Sequence, residues 1–174
     1  MDSRAFLFGF LLVFSVFSKA VLNSNITFGG QAYIERWSDD RQQEYTPSNQ
    51  PDPERSTEML KVHRFPSINE HSQLVNLAQA LQDHYQQAGD IIIESHAITN
   101  LKQKVSEQFM VVVSGTDTQL QAQFIRLTFV AGEAMAIVFS KRFDAEKDYD
   151  GVRVWLDKYG QESERNLRSW AEPF

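Results

Sequence analysis

The chain has 174 residues, a formal net charge of −6 at neutral pH and no cysteine. The acidic balance disfavours non-specific nucleic-acid binding, which needs cations facing phosphates. The missing cysteine removes disulfides, thiolate metal ligands and cysteine nucleophiles.

The N-terminus reads as a secretory signal peptide. Arg4 is a short positive start, Ala5 to Phe17 is an apolar run, and Ser18-Lys19-Ala20 puts small residues where a signal peptidase cuts. The run is shorter than the ~20 apolar residues that a spanning helix needs, and no later segment of the sequence is apolar enough to cross a membrane. The expected division is residues 1–20 as signal peptide and 21–174 as a single α+β domain. Cleavage leaves about 154 residues, enough for a sizeable core. An exported chain that relies on that core without disulfides suits a bacterial periplasm. Asn25-Ile26-Thr27 matches the N-glycosylation acceptor pattern, which matters only in a eukaryotic secretory route.

Ile26 to Phe28 and Gln31 to Trp37 are extended, apolar-rich runs around Gly29-Gly30, a strand or two short ones with the glycines at a turn or bulge. Ser38 to Arg55 contains three prolines and almost no apolar residue, and is expected as a long polar loop, 38–55. Thr57 to Phe65 is a further strand, stopped by Pro66, and Ser67 or Asn69 can cap the helix that follows. From Glu70 to Ala88, Leu74, Leu77, Ala78, Leu81, Tyr85 and Ala88 recur at helical spacing, and Gly89 stands at the C-terminal cap. Asp90 to Ile98 is the next strand, and Asn100 to Ser106 a polar connection.

Glu107 to Phe143 reads as three consecutive antiparallel strands, with the first turn at Gly115 to Thr118. In the last hairpin, Ile125, Leu127 and Phe129 alternate on one strand, and Met135, Ile137 and Phe139 on the next. A three-residue loop, Ala131 to Glu133, sets Phe129 against Met135 and brings both triads to one face. A loop one residue shorter or longer puts them on opposite faces, because side chains alternate with period two. The other face then carries Phe124, Ala136 and Val138 beside Arg126, Thr128 and Ser140, which implies a second covering layer or a binding site. After Phe143, Asp144 can cap a helix with Val152, Trp155, Leu156 and Tyr159 on one stripe, although Gly151 weakens a helix interior and points to a start near Tyr149. Gly160 is expected to end it, with Leu167 and Trp170 anchoring a last turn or two.

The predicted fold is α+β: an antiparallel sheet of about five to six strands with two main helices packed on one face. The stretches TEMLKVHRFP, the helix to Gly89, the hairpin around AGEA and the helix holding VRVWLDKYG give a layout that resembles the PsbP/Mog1-like proteins. The resemblance covers about two thirds of the chain in pattern. It implies a helix after the early strands, a long antiparallel meander, and a C-terminal helix on the sheet. It also implies a non-enzymatic accessory or binding role, by analogy of fold.

The residues themselves give little chemistry. His63, His71, His84 and His96 form no metal-ligand spacing, although His63 and His96 sit on strands flanking one helix and are expected to be neighbours at most. Ser114-Gly115 is not a nucleophile elbow. The carboxylate pairs Asp39-Asp40 and Asp148 with Asp150 lie in polar loops, and no phosphate loop or dinucleotide fingerprint is present. No catalytic residue, metal ligand or cofactor is assigned. What remains is recognition surface. Tyr33, Arg36, Trp37, Arg41 and Tyr45 border or lie in the 38–55 stretch, and aromatic residues with arginine carry interface energy. Tyr33 and Trp37 also fit an ordinary core. Phe124 and Arg126 complete the candidate binding set.

The functional expectation is an exported, non-enzymatic protein that binds another protein, as an inhibitor, an immunity-type protein or an envelope accessory factor. The alternatives are a carrier of a small apolar ligand between sheet and helices, motivated by Phe124, Ala136 and Val138, and an unrecognised hydrolase. The hydrolase requires His63 and His96 to converge with a carboxylate in a cleft.

Overall fold

A computed structural model describes residues 25–99, 105–146 and 150–170. The expected signal peptide, residues 1–20, lies outside the described residues. In chain order the elements are β1 (Asn25–Phe28), β2 (Gln31–Ser38), β3 (Gln42–Pro47), β4 (Glu58–Phe65), α1 (His71–Ala88), β5 (Ile91–Thr99), β6 (Val105–Gly115), β7 (Gln119–Val130), β8 (Glu133–Asp144) and α2 (Gly151–Ser169). All strands join one antiparallel sheet in the order β1-β2-β3-β4-β8-β7-β6-β5.

The sheet has eight strands, not five to six. Gly29 and Gly30 both take positive φ, 56° and 78°, which turns the chain tightly and makes β1 and β2 a hairpin. The stretch expected as a polar loop contains β3, whose residues QQEYTP show no apolar alternation. Backbone ladders to β2 and β4 hold it, and Tyr45, 1% exposed, is its large apolar anchor.

The β7–β8 connection has two residues, not three. Val130 pairs with Glu133, leaving Ala131 (φ 51°) and Gly132 (φ 87°) as a two-residue turn with both central φ values positive. Phe129 therefore faces Ala134, Leu127 faces Ala136 and Ile125 faces Val138. Met135, Ile137 and Phe139 go to the other side, with Phe124. Strands that are apolar on both faces need cover on both faces, and the helices supply it from opposite sides of the sheet. This corrects the expectation of both helices on one face.

The helix α1 lies on β5, β6 and β7. It buries Leu74, Leu77, Ala78, Leu81 and Tyr85 against Met110, Val112, Ile125, Leu127, Ala134, Ala136 and Val138. Its start is a capping box: the Glu70 N–H donates to Gln73 Oε1 at 3.1 Å, so the cap is Glu70 and not Ser67 or Asn69. Gly89 ends it at φ 84°, donating its N–H to the Gln86 carbonyl at 3.1 Å. The helix α2 lies on β7 and β8. Val152 and Leu167 are buried, and Trp155, Leu156 and Trp170 pack on the cluster of Phe28, Tyr33, Leu60, Phe109, Phe124 and Phe139. It begins after Asp150, not Asp144, and runs through Gly160 without a break. The cost of a glycine in a helix interior, about 1 kcal/mol, is outweighed by the anchors beyond it.

Candidate functional site

On the α1 side of the sheet, the helix lies over β5 to β7, and among the described residues no helix packs on the β2–β4 portion. The register builds a polar row there. Trp37 stands opposite Glu44, Glu44 opposite Lys61, and Gln42 opposite His63. The pairing of β2 shifts between Glu35 and Trp37, so Arg36 is the extra residue of a bulge. Bulges re-aim side chains, and here the Arg36 Nε donates to Thr46 Oγ1 at 2.9 Å.

Charges in the row are compensated. Lys61 Nζ lies 2.8 Å from Glu44 Oε1, and Gln42 Nε2 donates to the same oxygen at 2.7 Å. Burial holds the His63 imidazole down to about 4, and the Lys61 cation adds to this while Glu44 and Asp39 oppose it. Trp37 is partly exposed and does not belong to either apolar cluster among the described residues.

Two loops frame the row. At one end the β2–β3 turn is fixed by Asp39, whose Oδ1 accepts the N–H groups of Arg41 and Gln42, each at 2.7 Å. That turn displays Arg41 to solvent. At the other end the segment between β3 and β4 is tied down. Arg142 Nη1 donates to the carbonyls of Pro53 and Glu54 at 3.1 and 3.2 Å, and Gln50 Oε1 accepts the Thr57 N–H at 2.7 Å.

Of the residues expected to bind, Arg36 and Trp37 lie on β2 in this part of the sheet, and Arg41 is exposed in the turn at its end. Tyr33 and Tyr45 face away: each is 1% exposed and packs in the cluster on the α2 side. The Tyr33 hydroxyl donates to Glu58 Oε2 at 3.0 Å, and Glu58 pairs with Lys141 at 2.9 Å, stitching β2 to β4 and β8. Burial first, and then the Glu58 charge, raises the Tyr33 pKa. Phe124 is 2% exposed beneath Trp155, with ring centroids 6.0 Å apart. Arg126 binds the end of α2. Gln42, Glu44, Lys61 and His63 were missing from the expected set. Their signal was the alternation in β4, where Lys61 and His63 interleave with buried Leu60 and Val62.

The apolar surface expected for a ligand is divided and covered. Phe124 faces α2, whereas Ala136 and Val138 face α1. The two histidines expected as neighbours are far apart. Between β4 and β5 lie β8, β7 and β6, a separation of about 19 Å at the usual strand spacing. His63 shares the α1 face, while His96 lies against Phe109 on the other. His96 instead meets Glu94 at 3.1 Å and Glu164 at 3.8 Å. One ligand atom from each of these three residues lies within 4.8 Å of the others, the spacing a divalent ion would need to tighten. Glu164 Oε1 already takes Arg168 Nη1 at 3.3 Å, so the cluster is balanced by a cation of the chain itself.

Comparison with protein-family models and with curated proteins finds no match. Among solved structures, the chain is similar to the Ran-binding protein Mog1p of Saccharomyces cerevisiae, with a TM-score of 0.49 and 12% identity, covering 83% of this chain and 93% of that one. It is also similar to a mutant of Mog1, with a TM-score of 0.45 and 13% identity, covering 84% of this chain and 95% of that one.

Proposed function

We propose that this chain is an exported, non-enzymatic protein that binds another protein through the open face of β2, β3 and β4. The observation that supports it best is Trp37, an indole left partly exposed on a sheet face, with Arg36 next to it in β2 and Arg41 exposed in the turn that follows. Tryptophan and arginine carry much of the energy at protein interfaces. The internally paired Lys61, Glu44 and Gln42 supply the polar surround such an anchor needs. A rigid sheet presents these groups with little ordering cost on association. Export to a bacterial periplasm is supported by the pattern of residues 1–20, and an inhibitor, immunity-type or envelope accessory role fits a small acidic domain of this kind.

Site-specific photocrosslinking in the source cell tests the reading. A photoreactive residue at position 37 or 41 is expected to yield one adduct of defined mass. The same group at Val75 on α1 or Val154 on α2, both exposed, is expected to yield none. Adducts from the helix positions alone would overturn the assignment of the face. Mass analysis of the purified protein checks export: its N-terminus should lie near Val21.

A further inference from the structure

A concavity of about 720 Å³ opens where β5 ends, β6 begins and β7 ends, between the first turn of α1 and the last turns of α2. It lies on the far strands of the sheet from Trp37 and is independent of the protein-binding face. Ile98 and Phe129 give it apolar walls, and His71, Thr128, Arg165 and Arg168 give it polar ones.

The polar groups are unevenly satisfied. Glu107, the acidic group among the described lining residues, is held by Arg126 at 2.8 Å and by Arg168 at 3.2 Å. Arg168 also reaches Glu164 at 3.3 Å. Arg165 has no hydrogen bond or ion pair among the described residues. The Thr128 hydroxyl also has no partner among them, although Thr128 is 8% exposed. Buried hydroxyls are normally paired, and an orphan lining a cavity is a donor waiting for an occupant. His71 Nδ1 faces the Val105 carbonyl, and its ring packs edge-on against Phe129 at 5.3 Å. Counting the guanidinium and carboxylate groups alone, Arg165 and Arg168 against Glu107 leave the lining one positive charge. That matches a monoanion better than a phosphate dianion.

We propose that this concavity binds a small organic anion, a carboxylate on a short apolar body. Arg165 takes the charge, the Thr128 hydroxyl donates to the carboxylate, and Ile98 and Phe129 cover the apolar part. Proton–nitrogen NMR titration of the full chain tests it, with octanoate as probe and octanol and inorganic phosphate as parallel arms. Octanoate is expected to shift the Thr128 and Arg165 amides saturably and to bind about tenfold or more tightly than either arm, the scale of one charge-assisted hydrogen bond. Arg165→Gln, on an exposed helix position that leaves the core intact, should weaken octanoate by about the same factor. Equal binding of octanol, equal binding of phosphate, or an Arg165→Gln affinity equal to wild type would each overturn the proposal. So would the absence of octanoate shifts at these residues.

Discussion

Replacing Arg126 by alanine removes the main polar tie between the sheet and the end of α2. The Arg126 Nε donates to Glu107 Oε2 at 2.8 Å, and its Nη1 donates to the carbonyls of Leu167 and Trp170, both at 3.1 Å. Carbonyls in the last turn of a helix have no partner within it, so the guanidinium satisfies groups that are otherwise orphaned. The Arg126 and Glu107 side chains are 15% and 12% exposed, so water reaches them poorly. Breaking one partner of a largely buried ion pair costs about 3–5 kcal/mol. Glu107 keeps Arg168 at 3.2 Å, which places the expected loss at the lower end, about 3 kcal/mol. For a chain of this size about 1 kcal/mol moves Tm by roughly 2–4 °C, so Arg126→Ala should lower it by about 6–12 °C. Circular dichroism melting and urea midpoints read the effect. Arg168→Ala is the control: its side chain is 41% exposed, so its loss should cost about 0–1 kcal/mol. A shift below about 2 °C for Arg126→Ala, or a larger shift for Arg168→Ala, would refute this assignment of Arg126.

Three further outcomes follow from the same packing. Phe124→Ala should destabilise by about 3–5 kcal/mol in urea unfolding, as for a core aromatic, and a change below about 0.5 kcal/mol would mark a surface residue. Ala131→Asn, at φ 51° before Gly132, should raise stability by about 0.5–1 kcal/mol, because asparagine tolerates the left-handed region that alanine resists; an unchanged midpoint would count against the two-residue turn. His63 contributes a pH dependence. Its pKa is held to about 4, below its ordinary value near 6.5, so the unfolded chain binds the proton more readily. The stability it confers is complete above about pH 6.5 and is lost as pH falls towards 4, a change of roughly 2–3 kcal/mol after solvent screening. His63→Gln should flatten that slope in urea midpoints taken from pH 7.5 to 4, and an unaltered slope would remove the burial account of this residue.

Much of the layout was legible where one pattern had one solution. The stripe from Leu74 to Tyr85 and the glycine after it allowed a single helix, and α1 is there. The meander from Glu107 to Phe143 likewise stands as β6, β7 and β8. Register was harder, because β7 and β8 are apolar on both faces. The triads Ile125, Leu127, Phe129 and Met135, Ile137, Phe139 bury well whether the loop has two residues or three. The deciding fact, a positive φ at Ala131, carries no sequence signal, since alanine rarely adopts it. One residue of loop length then moved α1 and α2 to opposite faces. The strand β3 was hidden for another reason: its backbone is stabilised by its neighbours, not by its own side chains. In the candidate site, Arg36, Trp37 and Arg41 were visible by residue type. Glu44, Lys61 and His63 needed the ladder of β3 on β4 to bring them alongside.

The binding face stands or falls on Trp37. Once the crosslinked partner is in hand, its affinity for the Trp37→Ala variant can be measured directly by titration calorimetry, with unchanged circular dichroism as the check on fold. A buried aromatic anchor is worth about 2 kcal/mol or more, so a loss of roughly 30-fold or greater is expected. An affinity within about twofold of wild type would place the interface elsewhere on the molecule.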